Sequence, residues 1–129
     1  MAALSDFAEK LILDWLMTTG SAPRPTAWFL ALYTAAPSDS GGGTEVSGGG
    51  YARQALAFDA ASSPEGETSN SALVDFTASD DWGSITHIAI FTAVTAGDML
   101  WHGALTDARI INTGDKLEFA PGAIQLKLD

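Results

Sequence analysis

The 129-residue sequence contains no cysteine, which excludes disulfides and thiolate metal sites. Basic residues are scarce: 6 Lys and Arg stand against 16 Asp and Glu, leaving a formal net charge of −10. A field of that sign repels phosphate backbones and anionic membrane surfaces, so we expect neither nucleic acid nor membrane as a partner. Hydrophobic runs of the roughly 20 residues that cross a bilayer are also absent. These absences predict a protein made in the cytoplasm and held together by packing and by association.

Hydrophobic residues make up 47% of the chain, enough for the core of one compact domain. The clearest helix signal lies at residues 4–17, where apolar side chains repeat with helical spacing at Phe7, Leu11, Trp15 and Leu16. Ser5 or Asp6 can cap the start of this helix, and Gly20 can let the chain turn out of it. The apolar face predicts packing either on the helix's own domain or on a neighbouring subunit.

After residue 20 the apolar pattern becomes that of short strands with turn sequences between them. The predicted strands are 27–34, 51–58, 71–77, 85–92, 98–104, 108–111, 116–119 and 123–129. Residues 27–34 are apolar on both faces, which is typical of a strand buried on both sides. We therefore predict an antiparallel β-sandwich with one N-terminal amphipathic helix. The helix segment is residues 1–20, and a single β domain, with a glycine-rich loop at 37–50, covers 21–129.

The glycine-rich segment reads GGGTEVSGGGYARQ and resembles a phosphate-binding loop only in its glycines. The lysine and the hydroxyl of a P-loop do not follow Gly50. A dinucleotide-binding turn must open a helix, whereas these glycines precede a strand pattern, and Glu45 would repel phosphates. We interpret the segment as an inter-strand loop that is mobile alone and becomes ordered by a partner.

Two histidines, His87 and His102, fall in one predicted hairpin and could face each other across it. Together with Asp98 or Asp107 they could serve as metal ligands, but the sequence has no H-x-H motif and no i, i+4 histidine pair to support a metal site. We therefore expect a structural role for both rings and predict no metal and no cofactor.

Catalytic constellations are also absent from the sequence. No G-x-S-x-G nucleophile elbow occurs, and we predict that the protein is not an enzyme. Asp80 and Asp81 beside Trp82 could form a calcium-binding turn or a sugar-stacking site. The simpler interpretation is an acidic turn whose tryptophan lies in the core.

Four segments in order carry a family resemblance: LSDFAEKLILDWLM, FLALYTAAPSDSGGGTEVSGGGYARQALAF, DDWGSITHIAIFTAVTAGDMLWHGALT and INTGDKLEFAPGAIQLKLD. The sequence resembles small tail-fibre-like virion proteins of tailed bacteriophages, which share T-E-[VP]-S-G-G-G-Y-A-R and W-G-x-[IV]-T-H motifs. The resemblance covers nearly the whole chain. It implies a non-enzymatic structural component of a phage virion.

Three functions remain open, and the first is a capsid-surface decoration or cement protein, because a chain this short without repeats cannot reach far as a fibre. The alternatives are a small tail or tail-fibre-associated protein and a host-glycan-binding module, which would need Tyr51, Trp82 or Trp101 exposed. We expect a homo-oligomer that contacts the major capsid protein or tail proteins. Trp15→Asp should then bury an unpaired charge and abolish folding or assembly. The expected interface residues are Phe7, Leu11, Trp15, Leu16, Thr44, Glu45, Val46, Tyr51 and Arg53.

Overall fold

The computed structural model of the protein describes residues 2–62 and 66–128. The described chain contains one helix, α1 (Asp6–Met17), and ten strands. The strands are β1 (Ala2–Leu4), β2 (Trp28–Ala35), β3 (Thr44–Glu45), β4 (Gln54–Leu56), β5 (Glu67–Ser69), β6 (Val74–Thr77), β7 (Gly83–Phe91), β8 (Met99–Ile111), β9 (Lys116–Phe119) and β10 (Gln125–Lys127). Residue 129, the end of the predicted strand 123–129, lies outside the described residues.

A six-stranded antiparallel sheet forms the larger layer, in the order β1-β8-β7-β2-β3, with β4 also paired to β2. β2 lies inside this sheet, and its central residues Leu30, Ala31, Leu32 and Tyr33 are all buried. The prediction of a strand buried on both faces is therefore confirmed. β7 and β8 form the predicted hairpin, and the turn between them places Ala96 and Gly97 at positive φ.

Two short antiparallel ladders form the second layer. β5 pairs with β10, and β6 pairs with β9. Side chains from both layers meet in one hydrophobic core, which includes Leu30, Leu32, Phe76, Trp82, Ile85, Ile90, Leu117 and Leu126. A mainly β, antiparallel fold with one helix near the N-terminus is thus confirmed.

The helix lies within the predicted segment 4–17, beginning at Asp6 and ending at Met17. The Ser5 side chain accepts a hydrogen bond from the Ala8 N–H and donates one to the Met99 carbonyl, so it caps α1 and ties it to β8. The helix stops at Met17 with an extended Thr18, whose hydroxyl donates to the Asp14 carbonyl, so Gly20 is not the stop. No helix in the described residues is long and apolar enough to span a membrane.

The sequence did not predict β1, β3 and β5. These strands are only two or three residues long, too short to show an alternation of apolar and polar residues. β1 pairs with β8, so residues 2–4 belong to the main sheet rather than to a separate helical segment. The predicted strands 98–104 and 108–111 are one continuous strand, β8. The predicted strands 51–58 and 71–77 shorten to β4 and β6.

Candidate functional site

The apolar face of α1 lies largely in solvent. Trp15 is 68% exposed and Leu16 is 62% exposed. Phe7, Leu13 and Met17 are exposed as well. We call these five residues the α1 surface.

The exposure follows from how the helix joins the sheet. Ser5 anchors its first turn, and Ala8 is the buried residue of the helix. The later turns extend beyond the sheet and contact the chain that follows. There the helix and residues 22–25 enclose a groove of about 450 Å³, lined by Leu11, Ile12, Trp15, Ala22, Arg24 and Pro25.

The exposure of the α1 surface bears on the two predicted roles of the helix. Its exposed residues do not pack on their own domain, and docking on a neighbour stays a prediction. Trp15→Asp would bury no charge within this chain, so of the two expected effects the loss of assembly stays the prediction. Leu13 and Met17 were missing from the predicted interface. The sequence did indicate that these two residues belong with the predicted interface. The segment LILDWLM is apolar on all sides except at Asp14, which is typical of a helix that is enclosed by other protein.

A second group of predicted interface residues forms an internal ion pair. Arg53 Nε lies 2.8 Å from Glu45 Oε2, and Nη2 donates to Glu45 Oε1 at 2.9 Å. Arg53 Nη1 donates to the carbonyls of Ala93 and Ala96 at 2.9 and 2.8 Å. The guanidinium also stacks 3.7 Å above the Phe91 ring. We call Arg53, Glu45 and Tyr51 the Arg53 cluster.

Tyr51 completes this cluster by donating its hydroxyl to Glu45 Oε2 at 2.6 Å. Burial alone raises the pKa of Glu45, but hydrogen bonds from Arg53 and Tyr51 outweigh it and hold that pKa below its ordinary value. Burial, followed by the hydrogen bond to Glu45, raises the pKa of Tyr51. The hydrogen bond to Glu45 raises the pKa of Arg53. The cluster is therefore a fixed pair of opposite charges.

The Arg53 cluster corrects the intersubunit role predicted for Arg53. Its side chain is 7% exposed, and each of its three guanidinium nitrogens donates within the chain. Val46 lies in the hydrophobic core, and Tyr51 is half-buried against it. Thr44 is exposed in β3. Among Thr44, Glu45, Val46, Tyr51 and Arg53, Thr44 is the one that is exposed.

The glycine-rich loop is tied to its own domain. The Gly49 carbonyl accepts from Trp82 Nε1 and from the Ser79 N–H, both at 2.9 Å. Gly49 has φ of 59°, and a Cβ there would lie 2.8 Å from Trp82 Nε1, so this position requires glycine. These contacts correct the prediction that a partner must order the segment.

Comparison with known proteins identifies the family to which this chain belongs. The sequence matches the family described as Podophage GP4 fiber I protein gp80 over residues 3–127. The chain belongs to this family. No curated protein matches it. The fiber I family match spans both the α1 surface and the Arg53 cluster, and it makes this chain a structural component of a phage virion.

The two histidines of this fiber I family member have separate partners. His102 Nε2 lies 2.7 Å from Asp39 Oδ1, whereas His87 Nδ1 lies 2.8 Å from the Thr86 hydroxyl. Across the β7–β8 hairpin His87 faces Ala104 and His102 faces Ala89, so the rings are not directly opposite. Within the described residues no cluster of His, Asp and Glu could hold a metal ion.

The acidic turn of this fiber I family member is also structural. Asp81 Oδ1 accepts from the Thr113 N–H and hydroxyl at 2.8 and 3.0 Å. Trp82 lies in the core, which confirms the simpler interpretation and corrects its use as a glycan platform. Trp101 is half-buried and lines a cleft of about 400 Å³ between the two layers, whose walls are both polar and apolar. Trp82 therefore presents no free face of the kind that sugar stacking needs.

Proposed function

We propose that this protein is a small, non-enzymatic subunit associated with the phage tail fibre. The observation that carries the proposal is the match to a fiber I family across residues 3–127. The cement role, our first expectation from chain length, has no comparable support and becomes the alternative outcome of the test. The fold offers a rigid domain with a large common core, which suits a structural subunit.

We propose further that the α1 surface attaches the subunit to another virion protein. Apolar side chains of a helix that point into water make no stabilising contacts. When an apolar helix docks in a groove of a partner, burial of a few of its large side chains contributes most of the binding energy. Trp15 stands at the centre of the apolar face, beside the groove formed with residues 22–25. This arrangement suits a helix that inserts its exposed tryptophan into an apolar cleft on a partner protein.

Charge favours a different protein over a second copy as the occupant of the α1 surface. The polar residues on α1 are Asp6, Glu9, Lys10 and Asp14, and Lys10 is paired with Asp14. The last turn carries no basic residue, so its free carbonyls attract cationic side chains. Two such helices would bring like charges together, whereas a cleft rimmed by Lys or Arg would complement them. We therefore expect an apolar groove with a basic rim on the neighbouring tail protein.

Quantitative mass spectrometry of purified virions tests the location. The copy number of this chain is scaled against the major capsid protein and against the tail proteins of the same particle. We expect a few copies per particle, in fixed ratio to the tail proteins. A ratio near one to one with the major capsid protein would contradict the tail-fibre proposal and support the cement role.

A further inference from the structure

The second half of β8 has an open edge. β1 covers the outer edge of β8 only at Trp101–Gly103, through residues 2–4. β8 continues to Ile111, and no other strand in the described part of the chain pairs with its outer edge. Unpaired N–H and C=O groups along such an edge are a template for another strand.

The inner edge of β8, which pairs with β7, also lacks regular pairing over part of this length. Ala104 pairs with His87 and Arg109 pairs with Ile85, so the four residues 105–108 face the single residue Thr86. Residues 105–108 therefore project from the ladder while keeping extended geometry. Ile110 is 70% exposed beside this projection, so a partner strand could bury its side chain. The charged side chains of Asp107 and Arg109 oppose non-specific pairing along this edge, so a partner strand must match them.

We infer that β8 pairs antiparallel with β8 of a second copy, about a two-fold axis at Ala108. In this register Asp107 faces the partner's Arg109, and Arg109 faces the partner's Asp107. Directly opposite residues lie about 5 Å apart, where opposite charges attract. Neither Asp107 nor Arg109 forms an ion pair with any residue that the structure describes.

The charge pattern selects this register over its neighbours. A shift by one residue would oppose Asp107 to Ala108 and leave both charges unmatched. At the axis Ala108 meets its own copy, and a small side chain fits that close approach. Thr106 faces the partner's Ile110 in the same register, which covers the exposed isoleucine.

Net charge does not prevent this contact. Each copy carries a formal charge of −10, but repulsion between distant charges is screened over about 8 Å at physiological ionic strength. The four paired charges sit inside that distance. The contact lies on β8 and is independent of the α1 surface and of the attachment proposed for it.

Sedimentation equilibrium of the purified full chain tests the pairing. We expect a wild-type dimer, and an increase in its Kd of at least about tenfold for Asp107→Arg or Arg109→Asp, because symmetry turns two attractive pairs into two repulsive ones. The double variant, Asp107→Arg with Arg109→Asp, restores opposite charges and should return the Kd to the wild-type range.

Glu118→Arg is the matched control, since it makes the same charge change as Asp107→Arg at an exposed residue of β9. It should leave the dimer unchanged, and thermal melts should show that each variant is folded. A wild-type chain that stays monomeric at about 100 μM, well into the range of weak specific dimers, would overturn the inference. So would a dimer that Asp107→Arg leaves intact, or one that the double variant fails to restore.

Discussion

Arg53 shows how one buried cation can organise several segments. It joins β3 through Glu45, the β7–β8 turn through the Ala93 and Ala96 carbonyls, and the Phe91 ring on the second face of the main sheet. The contact with Glu45 is a charge-assisted, bidentate pair, which is among the strongest hydrogen-bonded contacts that side chains form. The cluster therefore fixes the loop geometry around the hairpin turn.

Glu45→Gln should lower the free energy of unfolding at pH 7 by about 2–3 kcal/mol, because it leaves a buried guanidinium without its counter-charge. The folded pKa of Glu45 lies below its ordinary value, so its contribution is present above that ordinary value and is lost as the pH falls through the folded pKa. The stability difference between wild type and variant should therefore shrink as the pH falls below about 4. Urea melts between pH 7 and pH 3 measure it.

Glu118→Gln provides the matched comparison for this prediction. Glu118 is exposed on β9, so its substitution should change stability by less than about 0.5 kcal/mol. If Glu45→Gln matched Glu118→Gln at pH 7, the ion pair would contribute nothing to folding.

At this scale the sequence identified residues but not their partners. Glu45 was an interface candidate because charged residues in a glycine-rich loop usually face solvent, and Arg53 because it is one of few cations in an acidic chain. Eight positions separate them in sequence, and the turn at residues 93–96 lies 40 positions further on. Only the packing of the hairpin against the loop brings these groups together.

The element that carries the attachment proposal is α1. Its existence, its start at Ser5 and its apolar face were all readable from the sequence. Its exposure was not, because a periodic apolar face reads the same whether its own sheet or another protein covers it. The structure shows that the sheet covers only the first turns.

Leu16→Asp should remove the subunit from particles while leaving the fold intact. Leu16 is 62% exposed, so the substitution should change stability by less than about 1 kcal/mol, mainly through helix propensity and the unfavourable charge near the helix end. Occupancy on virions, measured by mass spectrometry, should fall at least about tenfold, since a charge would enter an apolar interface.

Leu73→Asp makes the identical change at a residue 53% exposed and remote from α1. It should keep wild-type occupancy. Equal loss for both variants would show that the α1 surface is not the attachment site.

At the scale of the whole molecule, the main hydrophobic core is shared by the two layers. Leu32 in the main sheet and Phe76 in the β6–β9 ladder are both fully enclosed and belong to the same cluster. Tyr51 and Phe119 flank Phe76 with ring centroids 6.1 and 6.4 Å away. Neither layer can keep its apolar face covered when the other leaves, so the two should unfold together.

Leu32→Ala and Phe76→Ala should each lower the stability by about 3–5 kcal/mol and preserve a single unfolding transition. Far-UV and near-UV circular dichroism should give the same midpoint for each variant. Separate midpoints in Phe76→Ala, with the β6–β9 ladder melting first, would show that the layers are independent. Ala104→Gly is an exposed strand control and should cost no more than about 1 kcal/mol.

The sequence by itself determined the kinds of element and the family. Alternating apolar residues, turn sequences and one helical repeat are local signals, and they sufficed for an antiparallel β fold with a capped N-terminal helix. The motifs that suggested a phage fibre-like protein are contiguous in the chain, and the match over residues 3–127 bears them out.

The tertiary structure decided which of those surfaces are free. It placed Arg53, Val46 and Trp82 inside, left Trp15 and Leu16 outside, and opened the outer edge of β8. Burial depends on what lies opposite a side chain in space, and the paired residues of β2 and β7 are 54 to 62 positions apart in sequence. A local sequence pattern indicates whether a residue favours burial or solvent, whereas only the assembled sheet shows whether the residue is in fact buried.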